Sequence, residues 1–183
     1  MPIRTLCIYC AAAPGAHPDY VAHAAEVGRL AARSGITIIY GGGSVGLMGA
    51  VADGSLRAGG SVIGVITKQL VDRELAHREV ADMRIVATMH ERKMIMAESA
   101  DAFMALPGGY GTLDELFECL AWAQLGIHSK PVVLLNTRGF FDPILTWLEL
   151  AGNESFLRLP ASRALRVSGT PEGAIAALGG GPV

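Results

Sequence analysis

Short apolar runs alternate with longer amphipathic stretches along the whole chain. The runs are rich in β-branched residues and are typical of buried strands, whereas apolar residues recur at helical spacing in the stretches between them. The predicted strands span residues 3–10, 36–40, 62–66, 84–87, 102–106, 132–136 and 164–167. The predicted helices span residues 18–33, 45–58, 89–99, 113–125, 140–150 and 171–178.

This alternation predicts an α/β fold. Near-continuous apolar strands joined by helices favour a single doubly wound, mainly parallel sheet with helices on both faces. Because no linker or change of composition interrupts the chain, we expect one nucleotide-binding domain over 1–178 and a frayed tail at 179–183. Ligands bind such sheets at the carboxyl ends of the strands, so the turns from strand to helix are the places to look for chemistry.

Composition narrows the function classes. The chain has 183 residues, of which 51% are hydrophobic and 17% charged, so it is not intrinsically disordered. A net charge of −2 without a basic cluster argues against nucleic acid or a membrane surface as the partner. No apolar stretch approaches the roughly 18 residues of a membrane span, and no cleavable signal precedes the first strand. We therefore expect a cytoplasmic protein.

Cysteine and histidine spacing does not suggest a metal site. Cys7 and Cys10 lie three apart on a predicted strand, so their side chains should point to opposite faces as core thiols. The histidines show no metal-binding spacing, and each is expected at a helix edge or on the surface: His17, His23, His77, His90 and His128. We expect a reaction that needs neither metal nor cofactor.

The first glycine-rich turn follows the predicted strand 36–40. Glycines let the main chain approach a ligand closely, and the helix that follows presents free N–H groups, which together form a phosphate site. Gly41, Gly43 and Gly46 match the dinucleotide pattern Gly-x-Gly-x-x-Gly. The next strand, however, ends in Thr67-Lys68 and lacks the acidic residue that binds the ribose of NAD. Tight packing of helix on sheet remains the alternative explanation.

A second such turn covers residues 107–115 and could form another anion cradle. Thr112 and Glu115 also fit a capping box, in which Glu115 would bind only the N–H of Thr112. Against this alternative, Glu115 has no cation at its helical neighbour positions. The predicted apolar stripe of this helix, which leaves Glu115 on another face, consists of Leu113, Leu116, Phe117 and Leu120.

The third turn covers residues 89–93. Arg92 and Lys93 fall in the first turn of a predicted helix, where the helix dipole disfavours cations, and neither has a carboxylate three or four residues away. Such cations suggest an anion from elsewhere, either a ligand phosphate or Glu115. A solvated surface is the alternative.

Together these motifs resemble those of the LOG (Lonely Guy) family, the cytokinin riboside 5′-monophosphate phosphoribohydrolases. The family's Pro-Gly-Gly-x-Gly-Thr-x-x-Glu stands at 107–115 and its Met-His-x-Arg-Lys at 89–93. The likeness runs from Leu6 to about Pro143 and includes Ala52-Asp53-Gly54.

The resemblance implies a modified Rossmann fold, a homodimer, and hydrolysis of the N-glycosidic bond of an N6-modified adenosine 5′-monophosphate to the free base and ribose 5-phosphate. It gives Arg92 and Glu115 the catalytic places. It places the nucleotide against Gly42, Gly43, Gly46, Met89, Lys93, Gly108, Gly109, Tyr110, Gly111 and Thr112. In one departure, 11–13 are alanines where relatives usually have Gly-Ser, which removes a hydroxyl that could contact the nucleotide.

Two alternative functions differ in the residues that they require. A non-catalytic carrier of a nucleotide or phosphorylated cofactor would use the same cradles, but the presence of Glu115 favours an enzyme. A pyridoxal-phosphate-dependent lysine decarboxylase would need a Schiff-base lysine and a partner for the pyridinium nitrogen, and no motif indicates either.

Overall fold

The computed structural model describes residues 2–72, 75–157 and 165–179. Its strands are β1 (Thr5–Tyr9), β2 (Thr37–Tyr40), β3 (Val62–Thr67), β4 (Asp82–Val86), β5 (Ala102–Ala105), β6 (Val132–Leu135) and β7 (Arg166–Ser168). Its α-helices are α1 (Pro18–Arg33), α2 (Gly46–Arg57), α3 (Lys68–Val71), α4 (Met89–Ser99), α5 (Tyr110–Gln124), α6 (Asp142–Asn153) and α7 (Pro171–Leu178). A 3-10 turn spans Thr137–Gly139. Within these ranges no helix has both the length and the apolar character to cross a membrane.

The described strands form one parallel sheet in the order β4-β3-β2-β1-β5-β6-β7. The chain builds outward from β1 to β4 on one side and then returns to place β5 on the other side of β1. Strand order therefore reverses between β1 and β5, and such a switch point leaves a crevice at the carboxyl ends of these two strands. The predicted doubly wound α/β fold is confirmed.

Side chains along β1 point alternately to the two faces of the sheet and so contribute to two separate layers of the core. Leu6 and Ile8 pack under α1, α2 and α7, whereas Cys7 and Tyr9 pack under α4, α5 and α6. Cys10 lies in the first layer and Cys7 in the second, which confirms that these free thiols point to opposite faces. Burial raises the pKa of both thiols, as expected for cysteines that serve only the core.

Three of the seven α-helices in the described residues begin with a side-chain cap, namely α1, α4 and α7. Thr88 accepts a hydrogen bond from the N–H of Glu91 at the start of α4, and Thr170 does the same for Gly173 at the start of α7. Pro18 occupies the first turn of α1. By contrast, Gly109 precedes α5 and provides no side-chain cap.

The elements predicted from the sequence are present, with differences at the ends. Helix α5 begins at Tyr110, whereas the apolar periodicity predicted a start at Leu113. The four-residue α3 and the 3-10 turn were not predicted, because segments this short show no helical period. Ala164, predicted to begin the last strand, and most of the tail expected to fray lie outside the described residues.

Helices α1 and α2 touch through their main chains at two glycines. A Cβ atom at Gly28 would lie 2.2 Å from the carbonyl oxygen of Val51, and one at Gly54 would lie 2.1 Å from that of Ala25. Neither oxygen can retreat unless its whole helix moves. The pair α1–α2 therefore sits at a separation that only glycine permits.

We predict that Gly28→Ala lowers the free energy of unfolding by about 1–3 kcal/mol, because the added methyl group overpacks the helix contact. Gly152→Ala in α6 is the matched control, since its Cβ would meet no atom within 4 Å. The control should raise stability by about 0.5 kcal/mol through helix propensity. Urea unfolding measures both changes, and equal stability of Gly28→Ala and the wild type would contradict the close approach.

Candidate active site

The loop that follows β1 connects the two glycine-rich turns. The N–H of Ala11 donates to Pro107 O at 3.2 Å, after β5. The carbonyl of Ala11 in turn accepts from the N–H groups of Leu47 and Met48, at 3.1 and 3.2 Å, in the first turn of α2. The two glycine-rich turns therefore lie on either side of β1, at the switch point of the sheet.

The N-terminus of α5 is open. No described residue accepts a hydrogen bond from the N–H groups of Tyr110, Gly111 and Thr112, the first three of the helix. A Cβ atom at Gly109 or Gly111 would meet nothing within 4 Å, and Tyr110 is 95% exposed. Free N–H groups at the positive end of a helix dipole, with open space in front of them, suit a phosphate group.

The capping-box alternative for Thr112 and Glu115 is wrong. Because α5 begins at Tyr110, Thr112 lies inside the helix, and its side chain is buried. The predicted apolar stripe is also wrong, since Leu113 and two of its companions are only partly buried. The face that α5 buries consists of Thr112, Glu115, Leu116 and Cys119. Glu115 therefore points into the protein.

The N-terminus of α2 is largely closed by the protein itself. The second and third N–H groups of this helix, those of Leu47 and Met48, already bind Ala11 O. Gly46 has φ +61°, and a Cβ atom there would lie 2.3 Å from the carbonyl carbon of Ala12. The close approach to Ala12 is by itself enough to require glycine at position 46. Helix α2 therefore has fewer donors left for an anion than α5.

The three glycines between β2 and α2 form the glycine loop, residues 41–43. All three residues are buried, and each carbonyl accepts a hydrogen bond from a different part of the protein. The donors are Arg92 Nη2 to Gly41 O at 3.1 Å, His77 N to Gly42 O at 2.9 Å and Tyr40 Oη to Gly43 O at 3.1 Å. The loop is therefore fixed before any ligand binds.

Arg92 is 6% exposed and lies at the centre of the site. Its Nε donates to Val65 O at 2.9 Å, and its Nη1 donates to Glu115 Oε1 at 3.4 Å and to Met89 Sδ at 3.3 Å. With the bond to Gly41 O, four of the five guanidinium N–H groups have partners. The structure confirms that this cation takes its anion from another helix.

Glu115 is 7% exposed, and its only cationic partner within 4 Å among the described residues is Arg92. Burial raises the pKa of Glu115 from 4.5 to about 7, although Arg92 opposes the shift. Both protonation states of the carboxyl group are therefore populated near neutral pH. Perturbation of this kind in a crevice is typical of an acid–base residue.

Lys93, next to Arg92, also binds α5. Its Nζ lies 3.0 Å from Asp114 Oδ2 and 3.2 Å from Glu118 Oε2, on either side of Glu115 in the sequence. Burial by itself would lower the pKa of Lys93, but the two carboxylates outweigh burial and raise it. Lys93 is therefore a stable ammonium group that fastens α4 to α5.

The structure brings together most of the residues selected from the sequence, but it also contains one contact that was missed. Gly108 packs against the side chain of Thr112, and Met89 contacts Arg92. His77, expected at a helix edge or on the surface, is instead 8% exposed and contacts Asp53 at 3.2 Å. No periodicity marks position 77, because it lies in a connection between elements.

Comparison with known proteins places the chain in a family. A family model described as "Possible lysine decarboxylase" matches residues 48–178. The cytokinin riboside 5′-monophosphate phosphoribohydrolase LOG of Oryza sativa subsp. japonica is 50% identical over 162 residues, which cover 88% of this chain and 67% of that protein. The chain belongs to the LOG family. The enzyme LOG7 of Arabidopsis thaliana, with the same activity in its name, is 46% identical over 165 residues, covering 90% and 76% of the two chains.

Solved structures support the fold of this LOG family member. The molybdenum cofactor binding protein of Rippkaea orientalis superposes with a TM-score of 0.71 at 24% identity, over 96% of this chain and 95% of that one. The molybdenum cofactor carrier protein of Chlamydomonas reinhardtii gives 0.70 at 23% identity, over 96% of each chain. At this level of identity the likeness shows a shared Rossmann-like fold and nothing about the ligand.

The description of the family model does not fit the lysine at this site. A Schiff base forms from a neutral amine, which enzymes obtain by lowering the pKa of a lysine. Lys93 has the opposite environment, because two carboxylates keep its ammonium group charged. The site of this LOG family member therefore favours chemistry at Glu115 over chemistry at Lys93.

We predict that Glu115→Gln makes the protein relatively more stable at alkaline pH. Between pH 4.5 and 7 the folded wild type binds more protons at Glu115 than the unfolded chain, so this group's contribution to the free energy of unfolding falls as the pH rises. Glutamine does not titrate and so does not show this fall. From pH 4 to pH 8 the free energy of unfolding of the variant should therefore rise by about 1–3 kcal/mol relative to that of the wild type. Urea unfolding of both proteins across this range measures the change. A difference in free energy of unfolding that stays the same at every pH would contradict the prediction.

Proposed function

We propose that this protein hydrolyses the N-glycosidic bond of N6-modified adenosine 5′-monophosphate to the free base and ribose 5-phosphate, as the names of its relatives describe for them. The observation that carries the proposal is the buried pair of Arg92 and Glu115 at the switch point, beside an open helix N-terminus. The pair supplies a reactive carboxyl group, and the helix supplies an anion site.

The 5′-phosphate is expected at the N-terminus of α5. Tyr110, Gly111 and Thr112 offer main-chain N–H groups there, and Gly109 and Gly111 leave room for the phosphate oxygens. Binding energy from the phosphate, which does not react, then positions the sugar over the carboxyl group of Glu115. The glycine loop provides the second wall of the nucleotide site.

Glu115 has the properties that the reaction needs. Cleavage of the bond passes through an oxocarbenium-like state at C1′, which a nearby carboxylate stabilises, and the carboxylate can also take a proton from the attacking water. Water adds its hydroxyl group to C1′, and the base leaves with the C1′–N bond electrons and a proton. A pKa of about 7 lets Glu115 accept a proton during this step and release it afterwards.

Arg92 acts mainly on Glu115. Because four of its N–H groups bind protein atoms, at most one is left for a phosphate oxygen. Its bond to Glu115 Oε1 orients the carboxyl group, and its bonds to main-chain carbonyls after β2 and within β3 fix the guanidinium itself. Met89, which contacts Arg92, and Tyr110, the first residue of α5, both expose apolar surface, and we expect them to contact the base and its substituent.

We further infer a homodimer in the cytoplasm. Trp147, Leu150 and Phe156 expose a group of apolar side chains at α6 and just after it, which a second copy would cover. The three cysteines are free thiols, as in proteins of a reducing compartment.

Glu115→Gln should lower the rate of base release from isopentenyladenosine 5′-monophosphate by about 100- to 10,000-fold, because amide cannot replace carboxylate in proton transfer. Glu118→Gln is the matched control on the same helix, also in contact with Lys93, and should keep most of the activity. Chromatography of the freed base measures the rates. Full activity of a folded Glu115→Gln protein would contradict the proposal, and tight nucleotide binding without turnover by the wild type would favour a carrier.

Removal of the phosphate from the substrate tests the anion site. The nucleoside should be hydrolysed with a kcat/KM about 100-fold lower than that of the monophosphate, since the contacts with the α5 N-terminus position the sugar. Steady-state kinetics on both compounds measures the ratio. Equal kcat/KM values would show that the α5 N-terminus does not bind the phosphate.

A further inference from the structure

Residues 75–80, which we term the crossing segment, run across the glycine loop. The N–H of Ser44 donates to Leu75 O at 2.9 Å, and the N–H of His77 donates to Gly42 O at 2.9 Å. These two bonds form an isolated antiparallel bridge between Gly43 and Ala76. The loop and the crossing segment therefore share a short piece of sheet outside the main one.

The side chain of His77 ties the crossing segment to α2. Its Nδ1 accepts from the N–H of Glu79 at 3.3 Å, so in the neutral ring the proton is on Nε2. Nε2 then donates to Asp53 Oδ1 at 3.2 Å. Asp53 is partly exposed and also binds Arg57, whose side chain is 79% exposed. The buried contact between His77 and Asp53 is thus the inner end of a link that reaches the surface.

The main-chain N–H of His77 sets the direction of one peptide group in the glycine loop. The peptides of the described chain are trans, so the C=O of Gly42 and the N–H of Gly43 point in opposite directions. Because the C=O of Gly42 binds the His77 N–H, the N–H of Gly43 is held facing away from the crossing segment. Arg92 sets the preceding peptide in the same way through Gly41 O.

We propose that His77 and Asp53 are positioning residues that preset the glycine loop for the nucleotide. The proposal rests on the proposed function, since it takes the loop to be part of the nucleotide site. Breaking the contact frees the crossing segment and lets the peptide of Gly42 rotate, so binding weakens. Arg92 and Glu115 keep their other contacts, so the chemical step is little affected.

The test compares four variants. His77→Phe keeps the bulk of the ring but removes the donor, and Asp53→Ala removes the acceptor. His77→Gln places an amide N–H where Nε2 was and should restore wild-type behaviour. Arg57→Ala, the matched control, removes only the exposed partner of Asp53.

Hydrogen exchange of the free protein is the first readout. Peptides covering residues 41–49 should exchange about tenfold faster in His77→Phe and Asp53→Ala, because the Ser44 N–H loses protection. His77→Gln and Arg57→Ala should exchange like the wild type. Unchanged exchange in both His77→Phe and Asp53→Ala would overturn the proposal; if His77→Phe does not fold, Asp53→Ala at its partly exposed position carries the test.

Steady-state kinetics is the second readout. KM for the monophosphate should rise about fivefold or more in either disruptive variant while kcat stays within about twofold, as expected for loss of binding contacts alone. The double variant should show no larger rise than the single ones, because both remove one interaction. A fall in kcat that matches the rise in KM, or additive effects, would overturn the positioning role.

Failure of the proposed function is separate from failure of this inference. If the wild type releases no base, the proposed function is wrong, and calorimetric affinity for AMP takes the place of KM. Weaker AMP binding by His77→Phe together with faster exchange would still support positioning. Equal AMP affinity of all variants would overturn it.

Discussion

A single buried guanidinium group joins the carboxyl ends of two strands to a helix. Arg92 donates to Val65 O in the second half of β3, to Gly41 O after β2 and to Glu115 on α5. A charge taken out of water is costly unless its hydrogen bonds are replaced, so these acceptors must be in place for Arg92 to be buried. Burial of Arg92 therefore requires the geometry of the candidate active site.

The neighbouring charges are arranged so that Glu115 is only partly compensated. Lys93 is shared by Asp114 and Glu118, and its charge lowers the pKa of Glu115 less than that of Arg92 does. The contact that remains, from Arg92, is long at 3.4 Å, and burial dominates the pKa of the carboxyl group. The two adjacent cations of α4 therefore have different roles: Lys93 holds α4 against α5, whereas Arg92 binds the carboxyl group of Glu115.

The sequence was most informative where periodicity or unpaired charge carried the signal. Strands with near-continuous apolar residues predicted the parallel sheet. The lack of any local partner for Arg92 predicted an anion from outside its own helix, either a ligand phosphate or Glu115, and the structure pairs it with Glu115. Prediction failed where contacts between residues far apart in the sequence determine which side chains are buried. The buried face of α5 includes Glu115, which a hydrophobicity pattern counts as exposed, and the contact of His77 with Asp53 joins positions 24 residues apart.

The main chain of the loop after β1 has a further consequence. Ala11 satisfies the first turn of α2 with its carbonyl oxygen, and Ala12 meets Gly46 through main-chain atoms. No side chain from this loop takes part in either contact, so evolution can exchange the residues at 11–13 without disturbing the helix. The scaffold at this edge of the sheet therefore depends on the path of the loop's main chain and not on which side chains the loop carries.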